Sequence, residues 1–249
     1  TRNSITTKNS SYKFDYLVLC TGVYTQILNQ GCVLKNITDA SKISNLISGS
    51  KSITIVGGGY TGTEIAGEFA TKTKKEVILI DNSDRLLQRQ PKNASLLAMK
   101  YLKKKDVNII LNESVSDKKS IECVIWCIGI KPNTEFLVEF PINEEGYIKV
   151  TDTLNVIGHR NIFAGGDISD LVEEKSAQTA EYHGRIIAKN ILAHIQRRDL
   201  ISYAPKNRVM VISLGDWYGI LTYKNFVIGG IIPALIKKII ELKLLNLRI

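Results

Sequence analysis

The chain has 249 residues, with 33 Lys plus Arg against 24 Asp plus Glu and a formal net charge of +9. Hydrophobic residues at 44% and charged residues at 23% exclude wholesale disorder and allow one large domain or two interleaved ones. Four cysteines (Cys20, Cys32, Cys123, Cys127) are too few for a disulfide scaffold and indicate a reducing compartment, and no uncharged apolar run reaches the ~18 residues of a membrane span.

In chain order, Thr1 to Cys20 reads as hairpin material with a polar turn at Lys8 to Ser11 and an apolar strand at Phe14 to Cys20. That strand ends on Thr21 and Gly22, where the backbone turns. A helix is predicted around Ala40 to Ile47. Ser52 to Val56 is a short β-branched strand, followed at once by Gly57, Gly58, Gly59, Tyr60, Thr61 and Gly62. A helix from about Thr61 to Ala70 and a strand Glu76 to Ile80 ending at Asp81 complete a βαβ unit. A helix at about Ala94 to Lys104 leads into strands Val107 to Leu111 and Ile121 to Ile128, then Gly129 and Pro132. Gly146 to Val150 and Asn161 to Ala164 read as short strands, the second followed by Gly165, Gly166 and Asp167. A helix of about twenty residues, Ser176 to Gln196, comes next. Met210 to Leu214 pairs with Ile220 to Tyr223, and an apolar, Lys-bearing helix starts near Pro233.

Gly57, Gly59 and Gly62 form G-x-G-x-x-G between a strand and a helix, and Asp81 closes the next strand. In that context the pattern is a dinucleotide fingerprint. The glycines permit the turn, the approach of the pyrophosphate and the packing of helix on strand. The helix N-terminus offers free N–H groups to phosphate, and Asp81 accepts from the adenosine ribose. Glu64, just past the glycines, is either a first-turn acid favoured by the helix dipole or a group that reaches toward the nicotinamide. Spacing alone does not choose between the two. For Asp167 the alternatives are binding of ligand hydroxyls and an Asx turn.

These stretches resemble the two-dinucleotide flavoprotein oxidoreductases, and most of all the apoptosis-inducing factor 2 / ferroptosis suppressor group, related to type II NADH:quinone oxidoreductases. The matching segments are Tyr12 to Gly22, Ile53 to Glu68, Cys123 to Thr134, Gly146 to Asp170 and Val211 to Gly230. The resemblance implies an α/β fold with a Rossmann-like NAD-binding domain inserted in an FAD-binding domain, and a C-terminal hairpin and helix. It implies that Gly57, Gly59, Tyr60, Thr61, Gly62 and Asp81 hold NADH, with NADPH disfavoured by Asp81. Glu64 matches the family's acid near the nicotinamide, the one catalytic assignment, and Gly129 its second-domain glycine. Thr21, Gly22, Gly166 and Asp167 are expected against FAD, with Lys175 and Ala177 at the start of the helix beneath the flavin.

The implied pieces are 1–49 and 132–200 for FAD, 50–131 for NADH and 201–249 for the C-terminal cap. The family's flavin domain opens on its own glycine fingerprint. No second copy occurs here, so the chain is expected to begin inside that domain, without the adenylate half of the FAD site. The stretch Asn112 to Ile121 is also shorter than the family's usual meander.

Cys123 and Cys127, four apart on one strand, are ~13 Å apart and cannot bridge. All four cysteines read as small core residues, so electrons are expected to pass from flavin straight to an external acceptor, a quinone. His159, His183 and His194 have no metal spacing, and no metal site is expected; His183, mid-helix, reads as a packed or interface residue. The C-terminal helix groups Ile236, Ile239, Ile240 and Leu247 against Lys237, Glu241 and Arg248. This pattern suits membrane-surface docking or a buried dimer or domain contact. The excess charge, 24 Lys against 9 Arg, suits an anionic membrane surface better than nucleic acid, which is read with Arg forks and stacked aromatics. The expected location is cytoplasmic and peripheral to a membrane, or mitochondrial. A flavin-less NADH-binding chain and a basic nucleic-acid-associated cell-death factor stay open as other uses.

Overall fold

A computed structural model of the chain describes residues 3–28, 30–115 and 123–246, with side chains described through Lys243. The elements begin with β1 (Ser4–Thr6), β2 (Ser11–Lys13), β3 (Leu17–Leu19), β4 (Val23–Thr25) and α1 (Ile37–Gly49). They continue with β5 (Ser52–Val56), α2 (Tyr60–Lys72), β6 (Glu76–Ile80), α3 (Lys92–Lys104), β7 (Asn108–Ile110), β8 (Val124–Trp126) and β9 (Ile130–Pro132). Last come β10 (Ile162–Ala164), a 3-10 turn at Gly166–Ile168, α4 (Ala177–Ile195), β11 (Met210–Ser213), β12 (Gly219–Tyr223), β13 (Phe226–Gly230) and α5 (Ile231–Asn246).

The chain divides into two compact units, Thr1–Tyr24 with Ile130–Lys206, and Thr25–Gly129 with Asn207–Ile249. The segment 25–49 therefore clusters with the unit of the glycine turn rather than with the first piece, and so does the C-terminal hairpin and helix.

The second unit is built on a parallel four-stranded sheet in the order β7-β6-β5-β8. Its register pairs Val56 with both Ile80 and Trp126, so these strands end level with one another. Ile53, Ile55, Leu79 and Ile125 are fully buried in the sheet, as near-continuous apolar strands covered on both faces require. Helix α3 buries Ala94, Ala98 and Leu102 at four-residue spacing, while α1 is set by a capping box between Asn36 and Asp39 and buries Ile43 and Ile47. The strand order reverses between β5 and β8, and such a switch point is where open α/β sheets bind ligands. In the same unit β11, β12 and β13 form an antiparallel meander, and α5 packs against it.

In the first unit β3 and β10 run parallel, Leu17 opposite Ile162 and Leu19 opposite Ala164. Beneath them lies a core of Leu19, Ile148, Val156, Ile162, Ala164 and Ile168. The hairpin partner of β1 is β2, not the apolar strand that follows it. Gly146 to Val150 makes only isolated bridges at Ile148 and Val150. Strand β13 was not anticipated. Residues 116–122 lie outside the described residues, as do Leu247 and Arg248, so the length of the 112–121 connection and the far end of the helix pattern are not described.

Candidate functional site

The turn after β5 sits at the switch point, and its three glycines answer three different steric needs. Gly57 has φ +107°, a left-handed backbone, and a Cβ there would overlap the Cys127 carbonyl oxygen just past β8. A Cβ on Gly62 would overlap the Gly57 carbonyl oxygen, so the first turn of α2 closes directly on the strand end. A Cβ on Gly59 would meet nothing within 4 Å. Gly59 is also the N-cap of α2 and provides no side-chain cap. The first N–H groups of the helix, at Tyr60, Thr61 and Gly62, therefore face an open cradle of the kind a pyrophosphate fills.

Asp81 does more than end β6. One carboxylate oxygen accepts the Gly58 N–H, and the other accepts the Ser83 N–H at 2.7 Å. The Gly58 carbonyl in turn accepts from Leu87 N at 2.8 Å and Thr63 Oγ1 at 3.1 Å. The central glycine is thus pinned at both ends, and each Asp81 oxygen keeps a lone pair for a ribose hydroxyl. Arg85, four residues on, is drawn into its own loop. Its guanidinium donates to the carbonyls of Gln90 at 3.0 Å, Leu87 at 3.3 Å and Gln88. Gly129, with φ +98° and open space beside it, lies past the end of β8, on the same edge of the sheet.

Two contacts at this site are not legible in the sequence. Gln90 donates to the Tyr60 hydroxyl and accepts from Thr222 Oγ1 at 2.5 Å, tying the start of α2 to β12. Lys237 of α5 places Nζ 3.0 Å from Glu64 Oε1, which also accepts the Ser213 N–H at 3.0 Å. Of the two uses left open for this helix, a contact with the rest of the protein is the one that Lys237 makes. Lys237 points inward and closes one side of a cleft of about 910 Å³ among α1, α2, α5 and the β11–β12 turn. Lys238 lies over the Trp217 ring at 3.6 Å.

In the first unit, β3 and β10 deliver Thr21–Gly22 and Gly166–Asp167 at their C-terminal ends. Thr21 Oγ1 donates to Asn133 O at 2.6 Å, and Gly22 has φ +69° with nothing in the place of a Cβ. The turn at Asp167 is closed by Ser169, whose N–H and Oγ both donate to Gly166 O. No Asx turn forms, and no hydrogen bond among the described residues engages the Asp167 carboxylate. Helix α4 is capped by Ser176 on Thr179 N, leaving Ala177 exposed at its first position. Lys175 donates from Nζ to Ser169 O at 2.5 Å and Leu171 O at 3.2 Å, so its ammonium braces the preceding loop.

All four cysteines are free thiols, and Cys20 is exposed rather than a core residue. Burial pushes the Cys127 thiol up to about 12 and raises Cys123, and partial desolvation by its neighbours raises Cys20 even though it is exposed. None of these three favours the reactive thiolate. An acid whose folded pKa is raised stabilises the fold below its unfolded value and loses that contribution as pH rises. Thermal melts should therefore show stability falling from pH ~9 toward 12, and Cys127→Ala should flatten that fall. No group of three His, Cys, Asp or Glu among the described residues could hold a metal ion. No helix among them is long and apolar enough to cross a membrane.

A glycine cradle at the switch point of a parallel sheet, with an acid at the end of the second strand, defines a dinucleotide-binding α/β protein. The chain belongs to the pyridine nucleotide-disulphide oxidoreductase family, whose sequence profile matches residues 1–184. It is 30% identical to apoptosis-inducing factor homolog A of Dictyostelium discoideum over 90% of this chain and 67% of that protein. It is 27% identical to ferroptosis suppressor protein 1 of Homo sapiens over 90% of this chain and 68% of that protein. Among solved structures, NDH2 of Plasmodium falciparum in complex with NADH superposes with a TM-score of 0.81 at 16% identity, covering 94% of this chain and 75% of that one. The water-forming NADH oxidase of Lactobacillus brevis bound to NADH gives 0.74 at 20%, covering 86% and 53%. At these identities the structures speak to the fold alone. The chain spans about half the length of that oxidase and about two thirds of the curated relatives.

Proposed function

We propose that the chain is the NADH-binding and flavin-binding part of an FAD-dependent NADH:quinone-type oxidoreductase. The observation that carries the reading is the open cradle at Gly59, faced by the uncapped start of α2 and flanked by Asp81. The unengaged Asp167 carboxylate fits the hydroxyl-rich part of a flavin, the open Gly22 leaves room beside it, and the exposed start of α4, a partly positive helix end, fits an electron-rich carbonyl of the ring. FAD, when bound, takes a hydride from the nicotinamide and passes electrons on to the acceptor.

The chain's own groups divide the remaining work. The N–H groups of Tyr60, Thr61 and Gly62 bind the dinucleotide phosphates, and Asp81 orients the adenosine ribose. Glu64 is assigned to the nicotinamide end, with Lys237 as its counter-ion. A quinone needs protons as well as electrons to become a hydroquinone, and the Lys237 ammonium bears one beside Glu64. The raised thiols argue against a disulfide relay, which supports a direct external acceptor.

Fluorescence titration with NADH, then an assay of NADH oxidation with added FAD and a soluble quinone, tests the reading. Saturable NADH binding and NADH-dependent flavin bleaching are expected. Binding without bleaching would leave a flavin-less NADH-binding chain, and no NADH binding would end the assignment.

NADH should also bind more tightly than NADPH by tenfold or more. The Asp81 carboxylate repels a 2′-phosphate and loses two ribose hydrogen bonds to it, about 1–3 kcal/mol in all. Arg85, held by three carbonyls of its own loop, offers little compensation. Asp81→Ser should narrow the gap, and parallel titrations that show equal affinities in the parent chain would refute the role of Asp81.

A membrane surface is the proposed place of the acceptor. On α5 the outward residues are Ile231, Ile232, Leu235, Ile239 and Leu242, all exposed. At 100° per residue they form one stripe about 100° wide, bordered by Lys238 and Lys243. Leu235→Glu with Ile239→Glu removes about 3–6 kcal/mol of possible apolar burial and should cut sedimentation with anionic vesicles by at least tenfold. If the parent chain does not sediment, the stripe belongs to a protein contact.

A further inference from the structure

We propose that His183 is a positioning residue for the Gly166–Asp167 turn, acting through a buried chain with Glu173 and Tyr203. The flavin reading above bears only on what the turn holds. His183 lies in the middle of α4 and is 1% exposed. Its Nδ1 is 3.0 Å from the Gly166 N–H. A backbone N–H can only donate, so Nδ1 accepts and the ring proton sits on Nε2. Nε2 is 2.8 Å from Glu173 Oε1, to which it donates. The other Glu173 oxygen accepts from the Tyr203 hydroxyl, and the Tyr203 ring stands edge-on to the imidazole at 4.6 Å. The Glu173 side chain and Tyr203 are 9% and 5% exposed. One imidazole thus joins four pieces of chain: the end of β10, α4, the loop before α4 and the segment after it.

A residue that only filled space would leave the Gly166 N–H and the Glu173 carboxylate buried without these partners, which native interiors avoid. The approach itself is built in. A Cβ on Gly165 would stand 2.7 Å from Ile187 Cδ1 and 3.1 Å from His183 Cβ, so the strand end and α4 approach closely here and a side chain would make Ile187 give way. Gly166, with φ +73°, then turns the chain. The Asp167 carboxylate makes no hydrogen bond among the described residues, so the backbone that fixes its Cα–Cβ bond is what places the side chain. The amide plane that His183 holds, between Gly165 and Gly166, lies one residue before it. Ligand hydroxyls that Asp167 binds are therefore placed by His183, which does not touch them.

Two substitutions separate the ring's two contacts. His183→Asn keeps an acceptor near the place of Nδ1, whereas His183→Gln keeps a donor near the place of Nε2. In ¹⁵N spectra of the full chain, His183 should show an unprotonated Nδ1 and a protonated Nε2. Hydrogen exchange at the Gly166 amide should stay close to the parent rate in His183→Asn and rise about tenfold or more in His183→Gln. FAD affinity, followed by flavin fluorescence, should fall in the same order, by about tenfold for His183→Gln. A protonated Nδ1 in the parent, or equal Gly166 exchange in the two variants, overturns the proposal. The tautomer is read on the parent chain, so it decides even where a variant fails to fold. If Gly166 exchange follows the variants while the parent binds no FAD, the positioning role stands and the flavin reading fails.

Discussion

Gly62→Ala should remove measurable NADH binding and lower the melting temperature together. The added Cβ would overlap the Gly57 carbonyl oxygen, and both parties are backbone, so no side chain can swing aside. Helix α2 would have to lift off the strand end, taking the Tyr60 and Thr61 N–H groups with it. Losing two charge-assisted hydrogen bonds to phosphate costs about 3–6 kcal/mol, a factor of 100 or more in affinity. Gly59→Ala provides the contrast. Its Cβ would enter open space, where the fold tolerates it and an approaching pyrophosphate does not. That variant should melt close to the parent yet bind NADH at least tenfold more weakly. Titration calorimetry and thermal melts on the two proteins check both halves. An unchanged affinity and melting point in Gly62→Ala would show that the turn opens more easily than its geometry allows.

The contrast between these glycines also marks what could be read from the sequence. The β5–turn–α2–β6 unit was legible because its signals are local: a β-branched strand, glycines at fixed offsets, a helical period and an acid at the next strand end. Signals spread along the chain were less so. Strand β13 was missed because Phe226–Gly230 runs without a break in apolarity into α5, and only its pairing with β12 separates the two. Gly146 to Val150 carries a strand's alternation but lacks a continuous partner. Lys175 stands two residues before α4, and that its ammonium is taken by two loop carbonyls is a fact of tertiary folding. The Gln90 bridge and the Glu64–Lys237 pair join residues 132 and 173 positions apart, and no window along the sequence contains both partners. Helix α5 shows the same limit. Its apolar content was legible, but which side faces the protein depended on where Glu64 waits for Lys237.

Lys237→Glu should therefore act on the fold from inside. The side chains of Lys237 and Glu64 are 27% and 31% exposed and meet at 3.0 Å. A hydrogen bond between charged groups is worth about 1.5–3 kcal/mol. Reversal replaces it with two carboxylates at the same place, where the other lysines of the cleft, Lys72, Lys75 and Lys238, offer only part of the compensation, Lys72 being paired with Glu68. At an effective dielectric of ~20, like charges ~4 Å apart repel by about 4 kcal/mol, part of which rotation of the new side chain relieves. A net loss of about 3–5 kcal/mol corresponds to a melting point lower by roughly 6–20 °C for a chain of this size. Lys237→Met keeps the aliphatic stem over α2 and should lose less than half as much. Adding Glu64→Gln to Lys237→Glu should recover much of the loss, because the amide oxygen still accepts the Ser213 N–H and the repulsion is gone. Vesicle sedimentation of Lys237→Met should match the parent, since the ammonium faces the protein and the exposed apolar stripe is on the other side of the helix. If instead Lys237→Glu melts like the parent and loses only vesicle binding, the ammonium faces outward in solution and α5 is held by its apolar contacts alone.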